Sequence, residues 1–143
     1  MAYLDKFHIK VGETLMQCQR IEHDIKLIYA GMSKGDMEAN IDAVQDKALG
    51  TVILSLQQLD NENPEPYFSK NDYRLLKSIK NVRNWLAHQT YVDFIYSQGE
   101  SAEEDLNQSY NKLLDFNRDI TELGEQVEKI RLDVLIRYGR IKK

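Results

Sequence analysis

Along most of the chain, apolar and polar residues alternate with the spacing of three and four positions that is typical of amphipathic α-helices. The first pattern of this kind runs from Tyr3 to about Tyr29 and predicts one long helix. A glycine-bounded break at 31–35 follows, and a second helical pattern then runs from about Asp36 to Leu59. The part of it between 49 and 54 is apolar nearly all round, which predicts a central place in the core. The core positions of the first helix are Leu4, Phe7, Val11, Thr14, Cys18, Ile21, Ile25 and Ile28.

A third helix is predicted after a loop at 61–66, which contains both prolines of the chain. The segment Ser69-Lys70-Asn71-Asp72 has the form of a capping box, in which a serine and an acidic residue satisfy free backbone groups at a helix start. The helix therefore begins near Ser69 and continues to about Ala87. Its predicted core face consists of Leu75, Ile79, Val82 and Leu86.

The last third of the chain contains one long helical pattern. The segment from Thr90 to Tyr96 before it is rich in aromatic and β-branched residues, and this composition fits either a short strand or a continuing helix. Gly99 ends that segment, and Ser101-Ala102-Glu103-Glu104 predicts the capped start of the last helix. Two seven-residue series follow, and such series need a helical partner along their whole length. They are Leu106, Leu113, Ile120, Val127 and Val134, and Phe116, Leu123 and Ile130.

These elements predict an all-α protein, an up-and-down bundle of four main helices that forms a single domain over residues 1–143. A chain of 143 residues is long enough to bury a core without disulfides or metal ions. Hydrophobic residues make up 42% and charged residues 29%, which is ordinary for a globular protein. The long heptad faces also favour self-association.

The composition excludes several classes of protein. Charged or polar residues at 5, 6, 8 and 10 interrupt any apolar run near the N-terminus, so no signal peptide is expected. No later stretch has the roughly 20 apolar residues that span a bilayer, so we expect no membrane contact and a cytoplasmic location. Cys18 has no second cysteine with which to form a disulfide or a thiolate metal site, and is predicted to be a small core residue.

Charge is distributed unevenly along the chain. The protein has a formal net charge of −4, which argues against general coating of nucleic acid. Between residues 70 and 91, however, five basic residues stand against Asp72 alone. This local basic stripe fits either contact with an anionic partner at one place or a solvated helix face.

The basic stretch ends in the hexapeptide Arg83-Asn84-Trp85-Leu86-Ala87-His88. A permanent cation and a side chain that titrates near neutrality are what acid–base chemistry at a phosphate requires. At about 100° per residue, Arg83 falls on the border of the core face and needs an anionic or polar partner. His88 falls about 140° further round. The two side chains can converge only if the helix loosens near Ala87 or if they meet across a subunit boundary.

This hexapeptide resembles the motif of the HEPN superfamily, small all-α bundles marked by an arginine and a histidine four to six residues apart, commonly with a polar residue after the arginine. Here the spacer is four residues and the polar residue is Asn84. The resemblance is specific over about ten residues and architectural over the rest. It implies a homodimer that brings two motifs together in a cleft, metal-independent cleavage of RNA, and a role as a toxin, with an antitoxin protein as a further candidate partner, or in phage defence.

The resemblance also implies a role for each matching residue. His88 is the general base that takes the proton of the ribose 2′-hydroxyl, and its dimer mate protonates the leaving 5′-oxygen. Arg83 stabilises charge on the phosphoryl oxygens, and Asn84 orients the phosphate or the histidine ring. Lys77 and Lys80 hold flanking phosphates or belong to a solvated surface. No cofactor or metal ion is implied.

One branch of the superfamily carries a tyrosine two residues after the histidine. Thr90 stands at that place here and Tyr91 follows it, so regulation through this tyrosine is not expected. Tyr91 and Trp85 fit either contact with a base of the substrate or packing, and packing is the more common role of a tryptophan beside an apolar helix face.

Two alternatives complete the sequence-based view. A non-catalytic helical module could bind protein or nucleic acid through the heptad faces or the basic stripe. The run Glu22-His23-Asp24 looks like a metal-binding set, but adjacent residues of a helix face different directions and cannot readily chelate one ion.

Overall fold

Six helices and no strand make up the part of the chain that the computed structural model describes, which is residues 2–142, with side chains from residue 4 onward. The helices are α1 (Ala2–Met32), α2 (Met37–Gln45), α3 (Leu49–Asp60), α4 (Lys70–His88), α5 (Val92–Ile95) and α6 (Glu100–Arg137). The predicted all-α bundle is confirmed. None of the described helices is both long and apolar enough to cross a membrane.

The two longest helices, α1 and α6, lie side by side and run parallel. Asn117 Nδ2 donates a hydrogen bond to Thr14 Oγ1 at 2.9 Å. Further along both helices, Arg131 Nη1 donates to Asp24 Oδ1 at 2.8 Å. The predicted core positions of α1 from Phe7 to Ile28 are all buried, and the heptad positions of α6 from Leu113 to Val134 are buried with them, apart from a half-buried Phe116. The helical partner that the heptads of α6 need is therefore α1.

The continuous second helix predicted over 36–59 is wrong, because the chain turns at Asp46 to Ala48 and forms α2 and α3 instead. Val44 and Leu49 are both buried, yet on one continuous helix they would lie about 140° apart and could not both face the core. The turn resolves this conflict. Asn40 donates to Ala30 O at 3.1 Å and Lys26 donates to Gln45 O at 2.9 Å, so α2 runs back along α1.

The capping box at the start of α4 is confirmed. Ser69 Oγ accepts a hydrogen bond from Asp72 N at 3.0 Å, and the Asp72 carboxylate accepts from Ser69 N at 2.8 Å. The core face is wider than predicted, because Tyr73, Leu76 and Trp85 are also buried, and Leu75 is only half-buried. Leu75 borders a gap that separates α4 from α6, so it packs less tightly than predicted. The buried residues of α4 are Tyr73, Leu76, Ile79, Val82, Trp85 and Leu86.

The segment between α4 and α6, whose composition fits either a strand or a helix, contains the single-turn helix α5 and no strand. The predicted cap at Ser101 is wrong, since α6 already begins at Glu100. Gly99 precedes it with φ of 70°, a conformation that glycine adopts at low cost. This glycine turns the chain directly into α6, and the Ser101 hydroxyl donates instead to Gln98 O at 3.0 Å.

Candidate functional site

Arg83 lies at the border of the buried face of α4, as its place on the helix predicted, and its side chain is 40% exposed. Its guanidinium Nη1 donates a hydrogen bond to a carboxylate oxygen of Glu22 on α1. Lys26 approaches the other Glu22 oxygen at 3.8 Å. Glu22 is the anionic partner that Arg83 needs. Sequence reasoning missed it because the two residues are far apart in the chain.

Four of the predicted site residues line one groove. Lys77, Lys80, Arg83 and Asn84 form one wall of a groove of about 580 Å³ between α3 and α4, called here the α3/α4 groove. The opposite wall is contributed by α3 and is mainly apolar. It consists of Ala48, Leu49, Gly50, Thr51, Ile53 and Leu54.

The two ends of the α3/α4 groove are marked by polar contacts. At one end, Lys77 Nζ donates to Gln57 Oε1 at 3.1 Å. Glu22 and its partner Arg83 line the other end. Tyr73 bonds to Asp60 and Lys77 bonds to Gln57, so α3 and α4 run antiparallel along the groove.

His88 is exposed at the last position of α4 and does not line the groove. The helix stays regular up to this residue, because Gln89 N and Thr90 N both donate to Trp85 O, at 2.9 and 2.8 Å. The loosening near Ala87 that would let Arg83 and His88 converge is therefore absent. The two side chains remain about 140° apart around α4, which leaves a second subunit as the route to a joint site.

Tyr91 is held away from the basic wall of the groove. Its hydroxyl lies 2.7 Å from His8 Nδ1, and its ring packs on Phe7 with 5.4 Å between centroids. Burial raises the pKa of the Tyr91 hydroxyl, which stays protonated at neutral pH. The structure thus does not bring Tyr91 together with Lys77 and Lys80.

Trp85 is a packing residue, which confirms packing, the more common of the two roles that the sequence allows for it. The side chain is buried, its ring meets the Phe116 ring edge-on at 5.3 Å, and Lys112 Nζ lies 4.7 Å from its centroid. Its Nε1 donates to Asp93 Oδ2 at 2.9 Å. Hydrogen bonds from Gln89 and Trp85 lower the pKa of Asp93, so the indole is held by a charged acceptor.

The side chains of Glu22, His23 and Asp24 diverge, as adjacent positions of a helix require. Glu22 bonds to α4 through Arg83, and buried Asp24 bonds to α6 through Arg131. His23 is exposed between them. These three residues therefore serve different surfaces of α1.

Cys18 is buried, as predicted, and the charges of the Arg83–Glu22 pair reach it. Burial raises its pKa from an ordinary value of 9.0 to about 11, against a smaller opposing effect of Arg83. A raised pKa means that the folded state holds this proton more tightly than the unfolded state. The resulting stability is present below pH 9 and is lost as the pH rises toward 11.

We therefore expect the wild-type protein to lose about 2 kcal/mol more of its free energy of unfolding between pH 8.5 and 11 than Cys18→Ala does. Urea unfolding of both proteins across this range measures the difference. Because other groups titrate equally in the two proteins, only the difference between them reports on Cys18. Parallel pH profiles would contradict the expectation.

Comparisons with family models, curated proteins and solved structures found no match for this chain. Its function is therefore inferred from α4 and the α3/α4 groove.

Proposed function

We propose that the protein is a metal-independent endoribonuclease of the HEPN type, which acts on RNA as a homodimer in a toxin or phage-defence setting. The observation that carries the proposal is the exposed end of α4. The His88 side chain is open to solvent there and makes no hydrogen bond to any residue in the range 4–142, while Arg83 lies little more than one helical turn before it. A base that acts on a substrate proton must be reachable in this way.

The proposed reaction uses the 2′-hydroxyl of the RNA as nucleophile. His88 removes the proton from this hydroxyl as its oxygen attacks the adjacent phosphorus. The bond from phosphorus to the 5′-oxygen breaks, and His88 of the partner subunit supplies a proton to that oxygen. The products are a 2′,3′-cyclic phosphate and a free 5′-hydroxyl.

Arg83 is suited to stabilise the charge that develops on the phosphoryl oxygens. A guanidinium has five N–H donors arranged as a planar fork. Glu22 engages Nη1, and among the described residues nothing accepts a hydrogen bond from Nε or Nη2. The ion pair with Glu22 thus fixes the position of the Arg83 side chain, and the N–H groups of Nε and Nη2 can donate hydrogen bonds to a phosphate.

A second candidate function is a non-catalytic helical module. The observation that favours it is the apolar α3 wall of the groove, where Leu54 is 57% exposed. In this case Glu22 simply compensates the charge of Arg83, and His88 is a solvated helix end.

Cleavage of a fluorescently labelled single-stranded RNA in excess EDTA distinguishes the two functions. We expect cleavage to continue without divalent metal ions, because the proposed acid and base are side chains. Mass spectrometry of the products should show 2′,3′-cyclic phosphate and 5′-hydroxyl ends.

The matched control is the same RNA with a 2′-O-methyl group at every position, which has no nucleophile and should stay intact. Products with 3′-hydroxyl ends, or cleavage that stops on addition of EDTA, would refute the proposed mechanism. Binding without any cleavage would support the second candidate.

A further inference from the structure

The α3/α4 groove contains more apolar surface than binding to phosphate requires. Leu49 and Ile53 form the base of its α3 wall, and Leu54 stands out at its rim with 57% of its surface exposed. An isolated exposed leucine needs no explanation, but one that borders a groove of about 580 Å³ is part of a shaped apolar site. This surface has no role in the proposed cleavage reaction.

The chemistry of the groove favours aliphatic groups over nucleobases. None of the described residues that line it is aromatic, so no side chain there can stack on a base. Among the α3 residues that line the groove, Thr51 alone has a side chain with a hydrogen-bonding group, and Gln57 at the end of the groove is already bonded to Lys77. Base edges would therefore meet apolar side chains that cannot pair with them.

The opposite wall gives the groove a charge preference. Lys77, Lys80 and Arg83 stand along α4, and Glu22 is the one carboxylate among the described lining residues. This local excess of positive charge lies on a chain whose formal net charge is −4. An occupant with acidic groups along one side is electrostatically complementary to such a wall.

The dimensions of the groove limit the occupant further. Lys77 and Arg83 are six residues apart, so this wall of the groove is about 9 Å long, measured along the axis of α4. This length matches aliphatic side chains at positions i, i+4 and i+7 of a docked helix, which span about 10 Å. The volume of about 580 Å³ is enough for a few such side chains and not for a whole domain.

We propose that the α3/α4 groove binds an acidic amphipathic helix of a partner protein. Its aliphatic side chains lie against Leu49, Ile53 and Leu54, and its carboxylates face Lys77 and Lys80. Arg83 and Asn84 at the end of the groove are covered by the same helix. If the proposed endoribonuclease function holds, this partner also inhibits cleavage, but the binding itself does not depend on that function.

Gly50 provides a way to block the groove without disturbing the fold. It lies on the groove wall within α3, and a Cβ atom added to it meets no atom within 4 Å apart from its chain neighbours and the nearby backbone of α3. Replacing a helical glycine with a larger residue removes the conformational cost of glycine, so Gly50→Phe should remain folded. Gly12 on α1 is also exposed and open, which makes Gly12→Phe the matched control.

The experiment is a selection of random 16-residue peptides displayed on their own mRNA, with the full-length wild-type protein as bait. We expect enriched peptides that combine Asp or Glu with Leu or Ile at i, i+4 and i+7. Their affinity should fall at least tenfold for Gly50→Phe and for Lys80→Glu. It should stay unchanged for Gly12→Phe and for Lys129→Glu, since Lys129 is an exposed lysine of α6 that does not line the groove. Exchanging the peptide's acidic residues for lysine should restore binding to Lys80→Glu.

Several results would overturn the proposal. Enrichment of no peptide, or of peptides that bind Gly50→Phe as well as wild type, would mean that the groove is not a helix-binding site. Loss of single-stranded RNA binding in Gly50→Phe would assign the groove to RNA. A change from dimer to monomer in Gly50→Phe, measured by sedimentation, would assign it to contact between copies of this chain. Circular dichroism verifies that each variant is folded. If Gly50→Phe is unfolded, the double variant Lys77→Glu/Lys80→Glu takes its place in these measurements.

Discussion

Replacing His88 with alanine is expected to reduce RNA cleavage by about 10²- to 10⁴-fold, the usual contribution of a general acid or base. The same change should alter the free energy of unfolding by no more than about 0.5 kcal/mol, because His88 is exposed at the end of α4. Initial rates on labelled RNA and urea unfolding of the purified variant measure the two effects. A large loss of activity in a fully folded protein is the signature of a residue that acts on the substrate.

His23→Ala is the matched control, because His23 is also an exposed histidine on a long helix. It should cleave RNA at the wild-type rate, and unchanged cleavage by His88→Ala would refute the proposed role. The geometry of α4 adds a further control. The proposed reaction uses His88 of both subunits, and a mixed dimer of Arg83→Ala and His88→Ala chains contains only one His88. Co-expression of the two variants should therefore restore no activity above that of the variants alone. Recovery to about a quarter of the wild-type activity would mean that one His88 and the Arg83 of the other subunit are enough for a site.

The helices and the position of Arg83 could be predicted because they depend on local rules. The spacing of apolar residues predicted α1, α4 and α6, and the same spacing placed Arg83 at the border of the core, where it is found. The break between α2 and α3 was missed although its signal was present in the sequence. Val44 and Leu49 are both apolar, but they cannot share one face of a continuous helix.

The rest of the candidate site depends on distances between helices, which the sequence pattern does not contain. Glu22 meets Arg83 only because α1 and α4 lie side by side, and 61 positions separate the two residues in the chain. The α3/α4 groove forms only where α3 and α4 lie side by side, and its apolar wall includes Leu49 and Ile53, which the pattern assigns simply to the core. The helical angle did predict that Arg83 and His88 point apart, but only the observed end of α4 excluded a loosened helix.

Asp60 holds the loop that leads into α4. Of the substitutions considered, replacing Asp60 is expected to lower the free energy of unfolding the most. This residue ends α3, and its fully buried carboxylate accepts hydrogen bonds from Tyr67 N at 2.9 Å, Phe68 N at 3.1 Å and the Tyr73 hydroxyl at 2.7 Å. Burial and the bond to Asp60 raise the pKa of Tyr73, so its hydroxyl keeps the proton that it donates. One side chain thus connects α3, the following loop and α4.

We expect Asp60→Asn to lower the free energy of unfolding by about 3 kcal/mol, or the melting temperature by about 10 °C. The asparagine has the same shape, but its amide group presents N–H donors where the carboxylate accepted, so at least one buried donor loses its partner.

Asp42→Asn, on the exposed face of α2, is the matched control and should change stability by less than about 0.5 kcal/mol. Tyr73→Phe removes a single hydrogen bond and should cost about 1 kcal/mol. Equal melting temperatures for the Asp60 and Asp42 variants would show that the loop is held by packing of Phe68 and Tyr73 alone. With the expected loss, hydrogen exchange should accelerate in residues 61–69 and in the first turn of α4, because Asp60 fixes the segment that leads into the basic wall of the groove.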